Sequence, residues 1–515
     1  MYTPQTLSLQ HLRYLLFVAV AASFYLNLWA VPLFDLDEGA FSEATREMFV
    51  RGDFISTYLD GVPRFDKPIL IYWLQAICVW LFGVHEFSFR LPSALAATGW
   101  VWAVFAFTRR VRDERTGLVA AIITATTLEV SVMGRAATAD ALLNLFIACS
   151  MFSVFLYWRE RQRRWLLATF ALIGLGFLTK GPVAVLIPLA VSFLFFAIKG
   201  ELKAWLKMVF DPVGIGLFAV IALPWYVAEY LRQGDAFVQG FFFKHNLDRF
   251  SGSMEQHGGG ILYYPLVVLA GSLPFTALLI KTLARFRVLV KDDLGLFGLL
   301  WFLFVLVFFS LSGTKLPHYV LYGLTGLFVL MAGTLSELRA RLWVFLPALV
   351  LFTVLLLLPE AIGGALLGVK NDFLRETFAD YASHFTIAYR LFFVAAIMFV
   401  IFCMGERRFQ LGDKLLANGL VAVLGLSLFV LPVIGAIHQG PIKEAAALVK
   451  REGYHVVRWH IHMPSFSVYT QQVTPERKPE AGDVVLTKNK QLAEFKQAEV
   501  LFRKGGVVLA RVIEP

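Results

Sequence analysis

Several acidic residues follow the first apolar stretch of the chain and have the chemistry of acid–base groups. Asp35, Asp37 and Glu38 stand directly after that stretch in "FDLDEGAFSEATREMFVRGDF", and Lys67 follows in "FDKPILIYW". Charges at a lipid boundary are costly unless they face protein or water, so we expect these four to face a wet cavity. There a carboxylate is a candidate general base toward a hydroxyl, and Lys67 a candidate phosphate ligand. The competing interpretation is that the acids cap the next helix and pair with Arg46 or Lys67.

Three short turns between apolar stretches add further polar side chains. Each turn by itself is ordinary, because charged turns are common and lysine readily extends to the membrane surface. Together they place charges from several turns on one side of the membrane, which predicts that they line one cavity. The residues are Arg135 and Asp140 in "MGRAATAD", Lys180 in "LTKGP", and Lys315, His318 and Tyr319 in "LSGTKLPHY".

The loop "FFFKHNLDRFSGSMEQHGGG" supplies His245, Arg249 and His257. Arg249 is a candidate phosphate ligand, because guanidinium donates two parallel hydrogen bonds to oxygens. His257 with Asp66 or Glu255 has the ligand types for a divalent metal, but no ligand spacing supports a metal. The competing interpretation for His257 is a loop histidine whose hydrogen bonds are satisfied within the protein.

The elements that must position these residues are membrane spans. The 515 residues are 58% hydrophobic and 16% charged, a composition that favours lipid as the main solvent. A spanning helix needs about 20 apolar residues, and that criterion predicts about thirteen spans. They are residues 14–34, 91–108, 116–133, 140–157, 165–179, 183–198, 211–230, 260–280, 294–311, 316–334, 342–358, 387–403 and 415–437.

Orientation follows from the distribution of lysine and arginine. With this count of spans, five basic clusters, such as Arg109 to Arg115 and Arg159 to Arg164, fall on one side of the membrane. The positive-inside rule makes that side cytoplasmic, with the N-terminus inside and the candidate site and the C-terminus outside. The net charge of +10 therefore belongs to loops, and we expect no nucleic-acid partner.

Two domains are predicted: a membrane domain over residues 1–437 and a small soluble α/β domain over residues 438–515. The first outer loop contains the amphipathic run "PILIYWLQAICVWLFG", which suits a helix lying along the membrane surface. The fold class is thus an all-α polytopic membrane protein with juxtamembrane helices and a C-terminal α/β domain. No nucleotide-binding loop of the GxxxxGK[ST] type occurs. An activated substrate must therefore reach the outer side already attached to a carrier, and a membrane lipid phosphate suits that role.

The order of these motifs resembles that of a known enzyme family. "DE" after a span, "EATREM", "FDKPILIYW", "GRAATADALLN", "LTKGPVAVLIP", "HNLDRF", "SLPF" and "SGTKLPHYVL" follow one another over about residues 14–335. This order is similar to that of the GT-C fold glycosyltransferases that use polyprenyl-phosphate sugars. Among them the bacterial transferases that add aminoarabinose to lipid A are most similar, and the protein O-mannosyltransferases are more distant.

The resemblance implies an inverting glycosyltransferase in the bacterial inner membrane. Its donor would be a sugar on undecaprenyl or another polyprenyl monophosphate, and its acceptor lipid A or another envelope glycolipid. By position, Asp37 matches the principal acid with Glu38 beside it, Lys67 the lysine of the first loop, and Asp140 the acid after span three. The segment from His245 to Arg249 matches a family histidine–arginine segment. Some members hold a structural metal, which here would lie between Asp66 and His257.

In the expected mechanism the leaving group is a phosphate, which needs no general acid. Lys67, Arg249, Lys315 and Lys180 would stabilise its charge. Asp37 would deprotonate or orient the acceptor with help from Asp140. The chemistry requires no cofactor, and we expect a monomer.

Three alternatives to this function stay open at the level of sequence. A protein or a growing surface glycan is the alternative acceptor. A transporter or flippase of lipid-linked sugar would also have a charged cavity, although transporters usually carry charges near the middle of spans. A scaffold for an envelope complex would have no need of the polar cluster.

Overall fold

The computed structural model describes residues 5–248, 252 and 259–515 of the chain, and of residues 245–248 only the backbone. The first half of this part is helical apart from one short hairpin. Its helices are Leu9–Val20, continued by Ala21–Tyr25, then Asp37–Arg51, Leu70–Phe82, Glu86–Val111, Glu114–Thr126, Leu128–Met133, Asp140–Glu160, Arg163–Lys180, Val183–Ile198, Leu202–Val209, Pro212–Gln233, Asp235–Phe237 and Val238–Asp248. The strands Tyr58–Leu59 and Val62–Pro63 form the antiparallel hairpin.

The second half continues the helical bundle and ends in a sheet. Its helices are Tyr263–Gly271, Thr276–Ala284, Phe286–Leu289, Asp293–Leu311, Pro317–Val320, Leu321–Thr334, Leu335–Glu337, Arg341–Leu356, Leu358–Leu366, Asp372–Thr377, Tyr381–His384, Ile387–Gly405, Leu411–Gly425, Leu426–Val430, Leu431–Glu452, Pro464–Thr470 and Asn489–Glu494. The strands Val456–Arg458, Val484–Lys488, Gln497–Lys504 and Val507–Glu514 form one mixed sheet.

Local sequence explains where several long helices begin. Asp113, Asp211 and Asp292 each accept a hydrogen bond from the backbone N–H three residues later, and a helix of the bundle begins directly after each of them. A side-chain oxygen at this position satisfies one of the donors that the first helical turn leaves without a partner. Short polar residues ahead of apolar runs therefore mark these helix starts.

The structure confirms a mostly helical, polytopic membrane protein, but with fewer clear spans than predicted. Each of the thirteen predicted segments overlaps a helix, although several of them contain a break or extend beyond the helix end. Seven helices in the described part of the chain are long and apolar enough to cross a membrane, or nine if each of two bent helix pairs counts as one span. The helices over residues 165–179 and 183–198 do not meet that criterion by themselves, because one has charged ends and the other is short.

Two predicted spans have the wrong form. The first is expected over residues 14–34, but its helix begins at Leu9 and ends at Tyr25, where the backbone becomes extended at Leu26 and left-handed at Asn27. The eighth, expected over residues 260–280, consists of Tyr263–Gly271 and Thr276–Ala284, bent by 119°. We call these two helices the broken pair. Pro274 lies in the break, and proline has no N–H with which to continue a helix.

The first loop folds into helices that pack against the bundle. Helix Asp37–Arg51, which we call the acidic helix, is buried from Glu38 to Met48. Helix Leu70–Phe82 buries one face but exposes Ile77, Trp80 and Leu81 on the other. An amphipathic helix with such an exposed apolar face is suited to contact lipid, as the sequence predicts.

The tail, residues 438–515, contains the predicted small α/β unit. Val456–Arg458 pairs parallel with Val484–Lys488, and Val507–Glu514 pairs antiparallel with Val484–Lys488 and with Gln497–Lys504. The strand predicted through "YHVVRWHIH" ends at Arg458. Helix Leu431–Glu452 runs across the predicted boundary between residues 437 and 438 without a break. The division into two domains at that point remains a prediction.

Candidate functional site

A cavity of about 230 Å³ opens where the acidic helix meets the ends of several bundle helices. Its wall includes three predicted site residues from the first loop region and the turn after it, Asp37, Glu38 and Arg135, together with His318 from a turn far along the chain. The cavity is therefore built from segments of the chain as distant as those of Val31 and Leu431. Its other lining residues are Val31, Phe34, Asp35, Arg90, Val132, Met133, Ala136, Thr138 and Leu431.

Asp37 is the first residue of the acidic helix and faces this cavity. Its side chain is exposed, and no described residue donates a hydrogen bond to its carboxylate. The positive end of the helix dipole favours a negative charge at this position. Arg64 and His318 lie within electrostatic range. Within the described part of the chain the Asp37 carboxylate is thus accessible to a ligand.

Glu38 differs from Asp37 because protein groups donate hydrogen bonds to both oxygens of its carboxylate. Arg90 donates to it from Nε at 2.8 Å and from Nη2 at 2.6 Å, and the backbone N–H groups of Phe34 and Ala137 donate at 2.9 and 2.7 Å. Burial raises the pKa of Glu38, but the Arg90 charge and these hydrogen bonds outweigh it and hold the pKa below its ordinary value. A carboxylate has about four acceptor positions, so none is left for a substrate.

Asp140 lies at the centre of a buried polar network. Its Oδ1 accepts hydrogen bonds from Lys180 Nζ at 2.5 Å and from the Tyr322 hydroxyl at 2.6 Å, and its Oδ2 accepts one from Thr138 at 3.2 Å. Lys180 also donates to the Tyr322 hydroxyl at 2.8 Å. The predicted acid and the predicted phosphate ligand are therefore partners of each other. Three helix ends contribute to the network, since Asp140 begins a helix, Lys180 ends one and Tyr322 stands at the start of another.

The end of the Lys180 helix depends on Gly181. This residue has φ +78°, and a Cβ there would lie 2.7 Å from Cζ of Phe241. Glycine adopts this conformation without the steric penalty of other residues. The chain can thus turn sharply after Lys180 and leave its ammonium group beside Asp140.

His318 connects this network to the first loop. Its Nε2 lies 3.6 Å from Oδ1 of Asp140. The charges of Lys180, Asp37 and Lys67 also act on its imidazole ring. His318 is thus close to Asp140, whereas Asp37 and Lys67 act on it through their charges alone. Of the residues expected to line one cavity, Asp35, Asp37, Glu38, Arg135 and His318 do so. The others, which are Lys67, Asp140, Lys180, Lys315 and Tyr319, are not among the residues that line it.

Three other predicted site residues are held by protein groups. Lys315 Nζ donates to the backbone oxygens of Ser310 at 2.9 Å and of Gly260 at 3.4 Å, so the described residues accept two of its three protons. Arg135 donates to the Ser427 hydroxyl at 2.7 Å and to the Leu26 backbone oxygen. The ring of Tyr319 lies 5.4 Å from Lys180 Nζ, in the range of a cation–π contact.

The predicted metal pair and histidine–arginine segment stay predictions. Arg249, His257 and the side chain of His245 lie outside the described residues. Asp66 pairs with Arg64 at 3.0 Å. Among the residues that the structure describes, no group of three His, Cys, Asp or Glu is placed to hold a metal ion.

The tail packs directly on the segment that carries Asp37. The Asp35 carboxylate accepts hydrogen bonds from the backbone N–H of Ser465, at 3.0 Å, and from its hydroxyl. Ser465 belongs to helix Pro464–Thr470, which we call the docking helix. Asp60 of the first loop pairs with Arg458 of the tail at 2.8 Å, and both side chains are buried. Burial raises the pKa of Asp35 to about 7, although the Ser465 hydrogen bonds lower it in part.

Sequence reasoning missed Tyr322, Arg90 and Arg64. Tyr322 is hidden in an apolar run, because a tyrosine in a span is usually a packing residue. Arg90 stands at the start of a long apolar stretch, and an ionisable residue at such a position is itself a signal for a buried partner. Arg64 lies three residues before Lys67, and its closeness to Asp37 depends on the hairpin at residues 58–63.

Comparison with known protein families and sequences gives three findings. A family described as dolichyl-phosphate-mannose-protein mannosyltransferase matches residues 66–227. An uncharacterized protein of Aquifex aeolicus is 32% identical over 314 residues, which are 61% of this chain and 71% of that protein. An undecaprenyl phosphate-alpha-4-amino-4-deoxy-L-arabinose arabinosyl transferase of Yersinia enterocolitica is 32% identical over 330 residues, 62% of this chain. The match spans only 59% of the Yersinia enzyme's length.

Comparison with solved structures identifies the fold. The crystal structure of ArnT from Cupriavidus metallidurans bound to undecaprenyl phosphate matches with a TM-score of 0.82 at 19% identity. The match covers 99% of this chain and 100% of that chain. The whole described architecture, including the tail, is therefore shared with that protein.

Proposed function

We propose that this chain, which belongs to the ArnT-like GT-C glycosyltransferases of the dolichyl-phosphate-mannose-protein mannosyltransferase family, moves a sugar from undecaprenyl phosphate to lipid A or a related envelope glycolipid. The observation that carries the proposal is that Asp37 and His318 line one cavity, and that His318 lies 3.6 Å from Asp140, which Lys180 binds at 2.5 Å. Transfer of a sugar from a carrier phosphate requires cations and an acid that lie close enough together to act on one bound donor.

Asp37 is our candidate for the acid that acts on the acceptor. Its carboxylate faces the cavity and accepts no hydrogen bond from the described residues, so it can bind an acceptor hydroxyl. As general base it takes the proton of that hydroxyl while the hydroxyl oxygen attacks the anomeric carbon of the sugar. The bond from that carbon to the carrier phosphate breaks, and direct displacement inverts the configuration. If the acceptor is itself a phosphate, Asp37 positions it.

The cations then divide into two groups. Lys67, Lys315 and Arg249 are our candidates for the donor phosphate, with Arg64 as an additional cation near Asp37. Lys180 is already bound to Asp140 and Tyr322, so we propose that it holds Asp140 in position.

Glu38 has all its acceptor positions in use, so we propose that it positions the acidic helix through Arg90. No cofactor takes part in these steps.

The cavity would open on the periplasmic face of the bacterial inner membrane, with the tail on the same side. The basic clusters support this orientation by the positive-inside rule. The matched family's description supports a protein as a second candidate acceptor. We expect the protein to act as a monomer.

Two measurements test the proposal. Purified protein in liposomes with an undecaprenyl-phosphate sugar and lipid A should release undecaprenyl phosphate and form glycosylated lipid A. Mass spectrometry of lipid A and of envelope glycoproteins from a deletion strain and its parent then identifies the natural acceptor. Loss of a modification on proteins alone would establish the second acceptor, and unchanged lipids and proteins would contradict glycosyl transfer.

A further inference from the structure

A second cavity, of about 510 Å³, lies at the other end of the bundle from the candidate site. Helix Asp140–Glu160 connects the two places, because it begins in the Asp140 network and its last turn, with Trp158 and Arg159, lines the second cavity. Its 21 residues rise about 30 Å at 1.5 Å per residue, about the thickness of the hydrocarbon core of a bilayer. The second cavity therefore belongs to the opposite membrane face, and we call it the basic-face cavity. Its charged lining residues are Arg112, Arg159, Arg161, Glu201, Asp292 and Asp293.

The three acids that line the basic-face cavity each pair with a cation. The pairs are Arg112 with Asp292, Arg161 with Glu201, and Lys199 with Asp293. Glu201 also accepts a hydrogen bond from Trp158 Nε1 at 3.1 Å, and Asp292 accepts one from the backbone N–H of Gly295 at 2.9 Å. A metal ion would have to displace these partners, so the acids do not make this cavity a cation site.

Arg159 differs from the other cations of the cavity. Among the residues that the structure describes, none pairs with its guanidinium group or accepts a hydrogen bond from it. Four cations, with Lys199 included, meet three carboxylates, so one positive charge remains, at Arg159. A guanidinium has five N–H donors in a planar fork that fits two oxygens of a phosphate. Arg112 and Arg161 line the same space and keep donors that their carboxylates do not use, so the cavity suits one phosphate.

Part of the cavity wall is apolar. Phe155 and Leu294 line it and are buried, whereas Arg159 is exposed. Phe155 and Arg159 are four positions apart and share one face of their helix, with the arginine one turn nearer the helix end. Trp158 lies beside them, and tryptophan is enriched where membrane and water meet. A ligand with an anionic head and an apolar body fits this arrangement, and basic pockets between transmembrane helices bind phospholipid headgroups.

We propose that the basic-face cavity binds the phosphate of an anionic membrane phospholipid, with Arg159 as the residue that pairs with this phosphate. One excess positive charge matches a headgroup with one negative charge, such as that of phosphatidylglycerol. A zwitterionic headgroup adds an ammonium, which the surrounding arginines repel. The positive-inside rule predicts that the bound lipid lies in the cytoplasmic leaflet. The lipid is not a substrate, so this site is independent of the proposed function.

The test measures lipid binding to the full chain in a neutral detergent. Phosphatidylglycerol is titrated, native mass spectrometry gives the bound fraction, and Tm gives the stabilisation. The lipid should raise the Tm of the wild type as its concentration rises, because it binds the folded state. Hydrogen bonds to a charged group contribute enough that Arg159→Gln should weaken the affinity roughly 10- to 100-fold. Arg159→Lys should retain part of the affinity, because it keeps the charge but loses the planar fork.

Arg109→Gln is the matched control. Arg109 is also an exposed arginine in the last turn of a helix on this face, and it has no ion pair within the described chain, but it does not line the cavity. Its replacement removes the same charge and should change the affinity less than about threefold, because attraction between exposed charges is weak and screened. Both arginines are exposed, so neither variant should unfold the protein, and Tm without added lipid checks this.

Three outcomes would overturn the lipid site. Equal affinities of Arg159→Gln and the wild type would exclude Arg159, and equal losses in Arg159→Gln and Arg109→Gln would show only a general attraction of the basic face. Phosphatidylcholine that binds as tightly as phosphatidylglycerol would contradict the match of charge. Glycerol phosphate that displaces the lipid and raises Tm equally would assign the cavity to a soluble phosphate compound. None of these measurements uses sugar transfer, so each outcome leaves the proposed function intact.

Discussion

Two adjacent carboxylates in this protein have opposite environments, and sequence proximity does not reveal which one is available. Asp37 is exposed to the cavity, whereas Glu38 is buried and fully hydrogen-bonded by Arg90 and two backbone N–H groups. The difference arises because one residue of helix rotation turns the side chain by about 100°. Asp37 is thus the candidate for the chemistry, while its neighbour Glu38 supports the structure.

Asp37→Asn should reduce the rate of sugar transfer about 100-fold or more, the usual loss when a general base is removed. The thermal stability should change little, because Asp37 accepts no hydrogen bond within the described chain. Transfer rates and Tm measured on the same preparations check both statements. Asp372→Asn is the matched control, since Asp372 is also an exposed first residue of a helix. Full activity in Asp37→Asn would remove the proposed base.

Glu38→Gln should destabilise the protein by about 3–5 kcal/mol, since it leaves the buried Arg90 charge without its partner. The expected result is a lower Tm in detergent together with reduced activity. Partial recovery of activity at lower temperature would follow, because the defect lies in folding. An unchanged Tm with lost activity would show instead that Glu38 takes part in the chemistry.

The Asp35 carboxyl should make stability depend on pH. Its pKa is about 7 in the folded protein against an ordinary value of 3.8, so the folded state holds the proton more tightly. Its contribution to stability is therefore complete below about pH 4 and is lost as the pH rises toward 7. Tm measured from pH 4 to pH 8 should fall more steeply in the wild type than in Asp35→Asn. Parallel curves would exclude this role for Asp35.

At the scale of elements, the docking helix of the tail and the acidic helix of the first loop form one unit. Ser465 binds Asp35, Arg458 binds Asp60, and the Tyr469 hydroxyl accepts a hydrogen bond from the backbone N–H of Leu33 at 2.7 Å. These contacts lie on both sides of the turn that leads to Asp37. The tail therefore helps to position the candidate base.

Gly39→Ala should separate these two helices. A Cβ at this position would lie 2.0 Å from Oδ1 of Asp35 and 2.7 Å from the backbone nitrogen of Ser465, so the docking helix must move. Overpacking of this kind costs about 1–3 kcal/mol. We expect faster proteolysis of the tail and lower transfer activity. Gly440→Ala, where a Cβ would meet nothing within 4 Å, is the control, and equal behaviour of the two variants would contradict docking.

At the scale of the whole molecule, the prediction concerns which side of the membrane each region faces. A single cysteine in place of Lys496 should react with a membrane-impermeant thiol reagent added to intact spheroplasts, because the tail is expected outside. One in place of Lys203 should react only after the membrane is opened. Cys78 and Cys403 are buried and Cys149 is half-buried, so background labelling should be low. The reverse pattern would invert the topology.

Much of the architecture follows from the sequence because lipid imposes a strong constraint. Apolar runs of about 20 residues must be helical in a bilayer, so each of the thirteen predicted segments overlaps a helix. How many of these segments cross the membrane could not be predicted equally well, because breaks such as the one around Pro274 depend on packing against neighbouring helices. Motif order likewise indicated the family, but not the pairing of Lys180 with Asp140.

The sequence by itself determined that lipid surrounds most of the protein, that the fold is helical, and which stretches of the chain bring charge to the site. It did so because hydrophobic run length and charge position are local properties of the chain. Only the tertiary structure decided that Glu38 has its acceptor positions filled while Asp37 accepts no hydrogen bond from the described residues, and that Lys180 binds Asp140. Availability of a polar group depends on every neighbour within hydrogen-bonding distance, and those neighbours come from distant parts of the chain.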